Sequence, residues 1–131
     1  MIYPNKVVIH LLDGNTIKGT AQSPSLSDEI ITVHTVDNEF KKIKADKVKA
    51  VYFVKDWEGN PEYSEKTTVP SEKETYSNVI QLEFKDGEII EARIQYLPPT
   101  KGFYIIPPDA NSNNKRIYVR RSALKEIKII P

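Results

Sequence analysis

Chemistry on this chain has little to work with: two histidines, His10 and His34, and no cysteine. A metal or acid–base site would need both imidazoles converging beside carboxylates. His10 instead alternates with Val7, Ile9 and Leu11, which places it on the polar face of a strand. The segment Asp109-Ala-Asn111-Ser-Asn113-Asn114 has the opening ligand positions of a calcium loop. Position twelve, where a bidentate Glu is required, is Arg120, so a cation would meet a guanidinium, and the run reads as Asn- and Asp-stabilised turns. No phosphate-cradling Gly-rich loop, nucleophile elbow or His-Glu-x-x-His is present, and five glycines leave little material for one. The expectation is a protein without catalytic residues, metal or cofactor, and not an enzyme.

Charge is more informative. Net charge is +1, which gives no global steering toward nucleic acid or anionic lipid. Lys41 to Lys55 nevertheless contains six lysines against Asp46, and Thr100 to Pro131 is again basic, while Asp56 to Tyr76 between them is acidic. Lys44, Lys49, Arg116, Arg120, Arg121 and Lys125 are the candidate basic surface, able to track phosphates if nucleic acid or a nucleotide is the ligand. The same cations also suit solvated strand faces and lysine-protected sheet edges. No apolar run approaches the roughly 20 residues of a membrane-spanning helix, and the start, Met1 to Lys6, lacks the apolar core of a signal peptide. No membrane partner is expected. The cysteine-free composition agrees with a reducing compartment and a cytoplasmic location.

The elements that would position these residues follow from an internal repeat. Val7 to Gly19 matches Ile80 to Ala92 at the spacing that carries Asp13-Gly14 onto Asp86-Gly87. Without a gap, the same spacing carries Ile30 to His34 onto Phe103 to Pro107. Val48 to Phe53 matches Leu124 to Ile129 at a spacing three residues longer, which puts a longer loop at Pro107 to Lys115 in the second copy. Each copy opens with alternating apolar residues and Asp-Gly, a β-hairpin signature. Three or four further short strands follow, punctuated by Pro, Gly, Asn and Ser. Small five-stranded units must remove their sheet edges, which favours closure. The reading is an all-β tandem duplication of two small antiparallel β-barrels. Residues 1–54 and 79–131 are the repeats, and 55–78 is an acidic linker.

Each copy, with its apolar alternation, Asp-Gly tip and closing strand at Val48 to Val54, resembles an SH3-like or Sm-like barrel. The whole chain resembles an uncharacterised bacterial family. The resemblance is carried by Lys49-Ala-Val-Tyr-Phe-Val-Lys-Asp-Trp-Glu-Gly-Asn-Pro61, Asp86-Gly-Glu88 and Pro107-Pro-Asp-Ala-Asn-Ser-Asn-Asn-Lys-Arg116. It implies no activity.

The copies differ on their outward positions. Val8 and Leu12 stand where the second copy has Gln81 and Lys85, and Tyr52 and Val54 stand where it has Lys128 and Ile130. Val51 and Phe53 then point into the first barrel and leave Tyr52 and Val54 facing out. An apolar outer face needs a cover: the linker, the second barrel or another chain. Val8, Leu12, Tyr52, Val54, Trp57 and Tyr63 are the candidate partner surface, with Trp57 and Tyr63 either sealing it or anchoring a ligand. The function expected is a non-catalytic binding or scaffolding module acting through protein contacts or self-association. Nucleic-acid or nucleotide binding is the alternative.

Overall fold

The computed structural model describes residues 4–26, 28–57, 78–108 and 113–130. These form ten strands: β1 Asn5–Leu11, β2 Thr16–Ala21, β3 Ile30–Thr35, β4 Phe40–Lys44, β5 Val48–Val54, β6 Asn78–Phe84, β7 Ile89–Ile94, β8 Gly102–Ile105, β9 Asn114–Arg120 and β10 Leu124–Ile130. Single 3-10 turns, Ala45–Lys47 and Arg121–Ala123, lead into β5 and β10.

Turn chemistry sets the hairpins. At the β1–β2 tip Gly14 adopts φ 91° and donates its N–H to the Leu11 carbonyl, while Leu11 donates to Asn15. Gly87 has φ 96° and makes the corresponding bond to Phe84, which in turn donates to Glu88. Both tips are the three-residue loop that needs a left-handed residue in third place. At the β3–β4 turn Asn38 supplies that conformation with φ 65°, as Asn tolerates better than most residues.

The chain is all-β, in two antiparallel sheets of seven and three strands, ordered β4-β3-β2-β1-β5-β9-β8 and β10-β6-β7. An isolated bridge between Arg93 and Ile106 links the end of β7 to the residue after β8. The expectation of two separate barrels is corrected here: the described pairings close no barrel, and β8 and β9 lie in one sheet with the first five strands. The physical reason lies in β5. Its run Val-Lys-Ala-Val-Tyr-Phe-Val is apolar on both faces, and an edge strand of that kind is unfavourable in water. Pairing with β9, Ala50 opposite Val119 and Tyr52 opposite Ile117, buries it on both sides.

Two apolar clusters result. Val51 and Phe53 pack with Val7, Ile9, Ile31 and Val33, as the alternation of β5 requires, and Tyr118 from β9 joins them. Ala50 belongs instead to the cluster of Ile80, Leu82, Phe84, Phe103 and Ile117, with Tyr52 packed against it. Each buried Val, Leu, Ile or Phe contributes roughly 1.5–3 kcal/mol relative to exposure, so the two clusters hold the sheets through residues they exchange.

Candidate binding pocket

Register places Lys6, Thr20, His34 and Phe40 in one row across β1 to β4, on the face opposite the buried Val7 and Val33. Next to this row lies a cavity of about 210 Å³ lined by Gly19, Thr20, His34, Thr35, Val36, Asn38 and Trp57. Gly19 makes the close approach possible. A Cβ there would strike the His34 carbonyl and lie 2.9 Å from the Thr35 Cα, so only glycine lets β2 and β3 meet this way.

The walls are held in place. Trp57 donates its indole N–H to the Gly19 carbonyl at 2.9 Å, and the Lys6 ammonium sits 5.0 Å from its ring centroid. His34 stacks on Phe40 with centroids 4.4 Å apart and planes 10° from parallel, and its Nε2 lies 2.7 Å from Asn38 Oδ1. Beside them the Thr20 hydroxyl is buried and has no hydrogen-bond partner among the described residues. A buried hydroxyl left unpaired costs about 1–3 kcal/mol. The volume falls below the roughly 300–1,000 Å³ of drug-sized sites and suits a single side chain or a group of similar size.

A second cavity, about 170 Å³, follows the β2–β3 connection along Gln22, Ser23, Pro24, Asp28 and Ile30 to Thr32. That connection is clamped by β8, β9 and their flanks. Tyr104 donates to the Pro24 carbonyl, Tyr118 to that of Ser25 at 3.1 Å and Arg120 to that of Asp28 at 3.0 Å. Gly102 donates its N–H to Leu26 and Lys101 pairs with Glu29. Burial pushes the Tyr104 hydroxyl up to about 12 despite nearby Arg116, so it stays a neutral donor in this clamp.

Several cations expected at the surface are elsewhere. Arg120, 2% exposed, also donates to the Tyr118 hydroxyl at 3.0 Å and reaches Asp46 at 3.4 Å. Lys49 is buried, its ammonium 2.6 Å from Asp86, 2.5 Å from Glu88 and 4.6 Å from the Phe84 ring centroid. Burial disfavours that charge, but hydrogen bonds to Asp86 and Glu88 and their negative charges outweigh it and raise the lysine pKa above its ordinary value. Arg116 lies over Phe53 and Tyr104, and Arg121 over Phe103 with bonds to the Pro98 and Thr100 carbonyls. Lys44 and Lys125 are exposed, with Lys125 3.6 Å from Glu83. These six residues form no single basic face: Lys49 ties β5 to the β6–β7 tip, Arg116 and Arg120 are engaged among β5, β8, β9 and the β2–β3 connection, and Arg121 lies on β8.

The apolar candidates are likewise distributed. Val54 is buried, Tyr52 half-buried against the His10 ring at 4.4 Å, Val8 half-buried opposite Tyr52, and Leu12 exposed at the first hairpin tip. Trp57 lines the cavity; Tyr63 lies outside the described residues. So do Asp109 and Asn111 of the calcium-like run, whose Asn113 is bonded through its amide to the Asp56 backbone. Thr20, Val36 and Asn38 were not legible as site residues. The one available signal was Asp37-Asn38, a turn pair that sets His34 beside the cavity.

Two antiparallel sheets, with a small aromatic-walled cavity on an outer face, define an all-β class. The chain belongs to DUF6982, a family of unknown function, which it matches over residues 3–131. No curated protein and no solved structure matches it.

Proposed function

We propose that the chain is a tandem duplication of one five-stranded, SH3-like unit. Its role is that of a non-catalytic binding module acting through protein contacts, with a partner's side chain seated between Trp57 and His34. The duplication is supported by local geometry that recurs. Each unit has an Asp-Gly tip with the same bonds and a 3-10 turn before a fifth strand that returns to pair with the first. The Leu12 N–H bonds to Lys47 and, at the equivalent place, that of Lys85 bonds to Ala123.

The cavity carries the functional reading. Aromatic walls, an unpaired hydroxyl and an amide are groups that recognise a side chain, and aromatics dominate interface energetics. The nucleic-acid reading is weaker, since Lys49 and Arg120 are buried and Arg116 and Arg121 are engaged over aromatic rings. The cysteine-free composition fits work in a reducing compartment.

A photoreactive residue replacing exposed Val36, expressed in cells, tests the site. The expected result is protein adducts at Val36 and none when the same group replaces exposed Lys85 on the opposite hairpin. Trp57 is the only tryptophan, so its emission should move when the captured partner is added back. His34→Ala should weaken that partner on the order of tenfold, as loss of an interface anchor does. Adducts to nucleic acid, or equal labelling at both positions, would overturn the reading.

A further inference from the structure

The strand face around the cavity is basic as well as aromatic. Lys6 stands in one row with Thr20, His34 and Phe40. Lys18, two residues from Thr20, shares that face because alternate residues of a strand do, and its carbonyl accepts the N–H of Val36 in the cavity wall at 3.0 Å. Lys42 and Lys44 continue the face along β4, opposite Thr32 and Ile30. Lys6, Lys42 and Lys44 are exposed and Lys18 is half-buried. Against these cations, β1 to β4 contain no Asp or Glu. The carboxylates nearest in the chain, Glu29, Asp37 and Glu39, belong to the flanking connections, and Glu29 pairs with Lys101.

Edge protection does not account for this placement. Lysines suit β4, last in the sheet order, but β1 lies between β2 and β5, and β2 between β3 and β1. Lys6 and Lys18 therefore guard no edge. Like charges gathered on one face repel, and a ligand of opposite sign relieves that repulsion.

The rings decide between the acidic ligands. Single-stranded nucleic acid is held by bases stacked on aromatic faces. Here the Lys6 ammonium sits 5.0 Å from the Trp57 centroid, and the His34 and Phe40 rings stack on each other at 4.4 Å. What they leave is a pocket for one side chain rather than a platform for successive bases. An extended polypeptide fits the charge pattern as well, because residues two before and two after its anchor project to the same side. Lys18 and Lys42 flank the row of Thr20 and His34 by two residues, one on each side.

We propose that the partner seated at Trp57 is an acidic polypeptide segment, in which the side chain filling the cavity has carboxylates two residues before and after it. Those carboxylates meet Lys18 and Lys42, and Lys6 and Lys44 add to the attraction. The inference deepens the reading of the cavity and rests on it for the anchoring side chain.

Copolymers added to the full chain serve as probes. A random glutamate–tyrosine copolymer, whose rings suit the aromatic walls, should bind, shift Trp57 emission and lose affinity as salt rises. Polyglutamate offers charge without an anchor and should bind on the order of tenfold more weakly. Lys18→Glu, Lys42→Glu and Lys44→Glu together should weaken the glutamate–tyrosine copolymer at least about tenfold, each exposed pair contributing a few-fold. Circular dichroism should stay near native, and Lys42→Gln with Lys44→Gln should act in the same direction with a smaller effect. No binding of the copolymer, or equal binding by the charge-reversed variant, would overturn the acidic partner. So would Val36 photoadducts undiminished in that variant, a result that leaves the cavity reading standing. Tighter binding of an oligothymidylate than of the copolymer would overturn the proposal in favour of nucleic acid. Binding lost on charge reversal but unchanged by His34→Ala, with Trp57 emission still, would keep the acidic ligand on this face and sink the cavity as its anchor.

Discussion

Gly19 joins backbone geometry to function, because the contact it allows between β2 and β3 also offers its carbonyl to Trp57. Gly19→Ala is expected to cost at least about 1–3 kcal/mol, the range for overpacking a site that cannot yield. It should also shift Trp57 emission, both read in one urea titration. His10 gives a second residue-scale prediction. Burial, reinforced by the Lys49 charge and only partly offset by Glu88, lowers its pKa below the ordinary 6.5. The neutral ring is therefore favoured in the fold, and this stability is fully present above pH 6.5 and lost as pH falls through the lowered value. Asp28 and Asp86 are held below the ordinary 3.8, Asp28 chiefly by hydrogen bonds from Ser25 and Asp86 chiefly by that from Lys49. Their contributions go only at more acid pH. Urea midpoints should fall in two steps on acidification, and His10→Gln should remove the first. Sequence alone put His10 on the strand face away from Val7 and Ile9, where it packs on the Tyr52 ring rather than standing free in solvent. It did not show that Lys49 and Arg120 are buried, because periodicity assigns a face without saying what the rest of the chain lays over it.

At the scale of elements, much was legible because turns carry their own chemistry. Asp-Gly at 13–14 and 86–87 announced two hairpins, and the glycines adopt the left-handed conformation the loops require. Gly14→Ala and Gly87→Ala, with open space around the added methyl, isolate the backbone cost. Each should lose about 1–2 kcal/mol through strain alone, measured by thermal unfolding, with no change in Trp57 emission. The partner of β5 was not legible. Its two-faced apolarity indicated that a cover was needed, but the linker, the second unit and another chain satisfied the pattern equally. Choosing β9 depends on cross-strand matches such as Tyr52 with Ile117, which leave no periodic trace in either strand. β4 and β10 show the converse, since their lysines and Glu126 mark them as edges only once their neighbours are known.

The molecule as a whole should unfold as one body, although its sequence reads as two. Ala50 from the first half sits in the second cluster, Tyr118 from the second half sits in the first, and β5 is a wall of both. Arg120, Tyr118 and Tyr104 also tie β9 and β8 to the β2–β3 connection. Separate domains would give two transitions and let a core mutation act only on its own half. Shared strands give one transition. Phe103→Ala empties a fully buried position of the second cluster and should cost about 3–5 kcal/mol. It lies far in sequence from Trp57, which reports on the first half through Gly19. The expected outcome is that Trp57 emission and far-ultraviolet circular dichroism move together to the same lower urea midpoint. If the Trp57 transition instead stayed where it is in the unmodified chain while the dichroism split into two steps, the halves would be independent. The pairing of β5 with β9 would then be a contact between domains rather than the seam of a single fold.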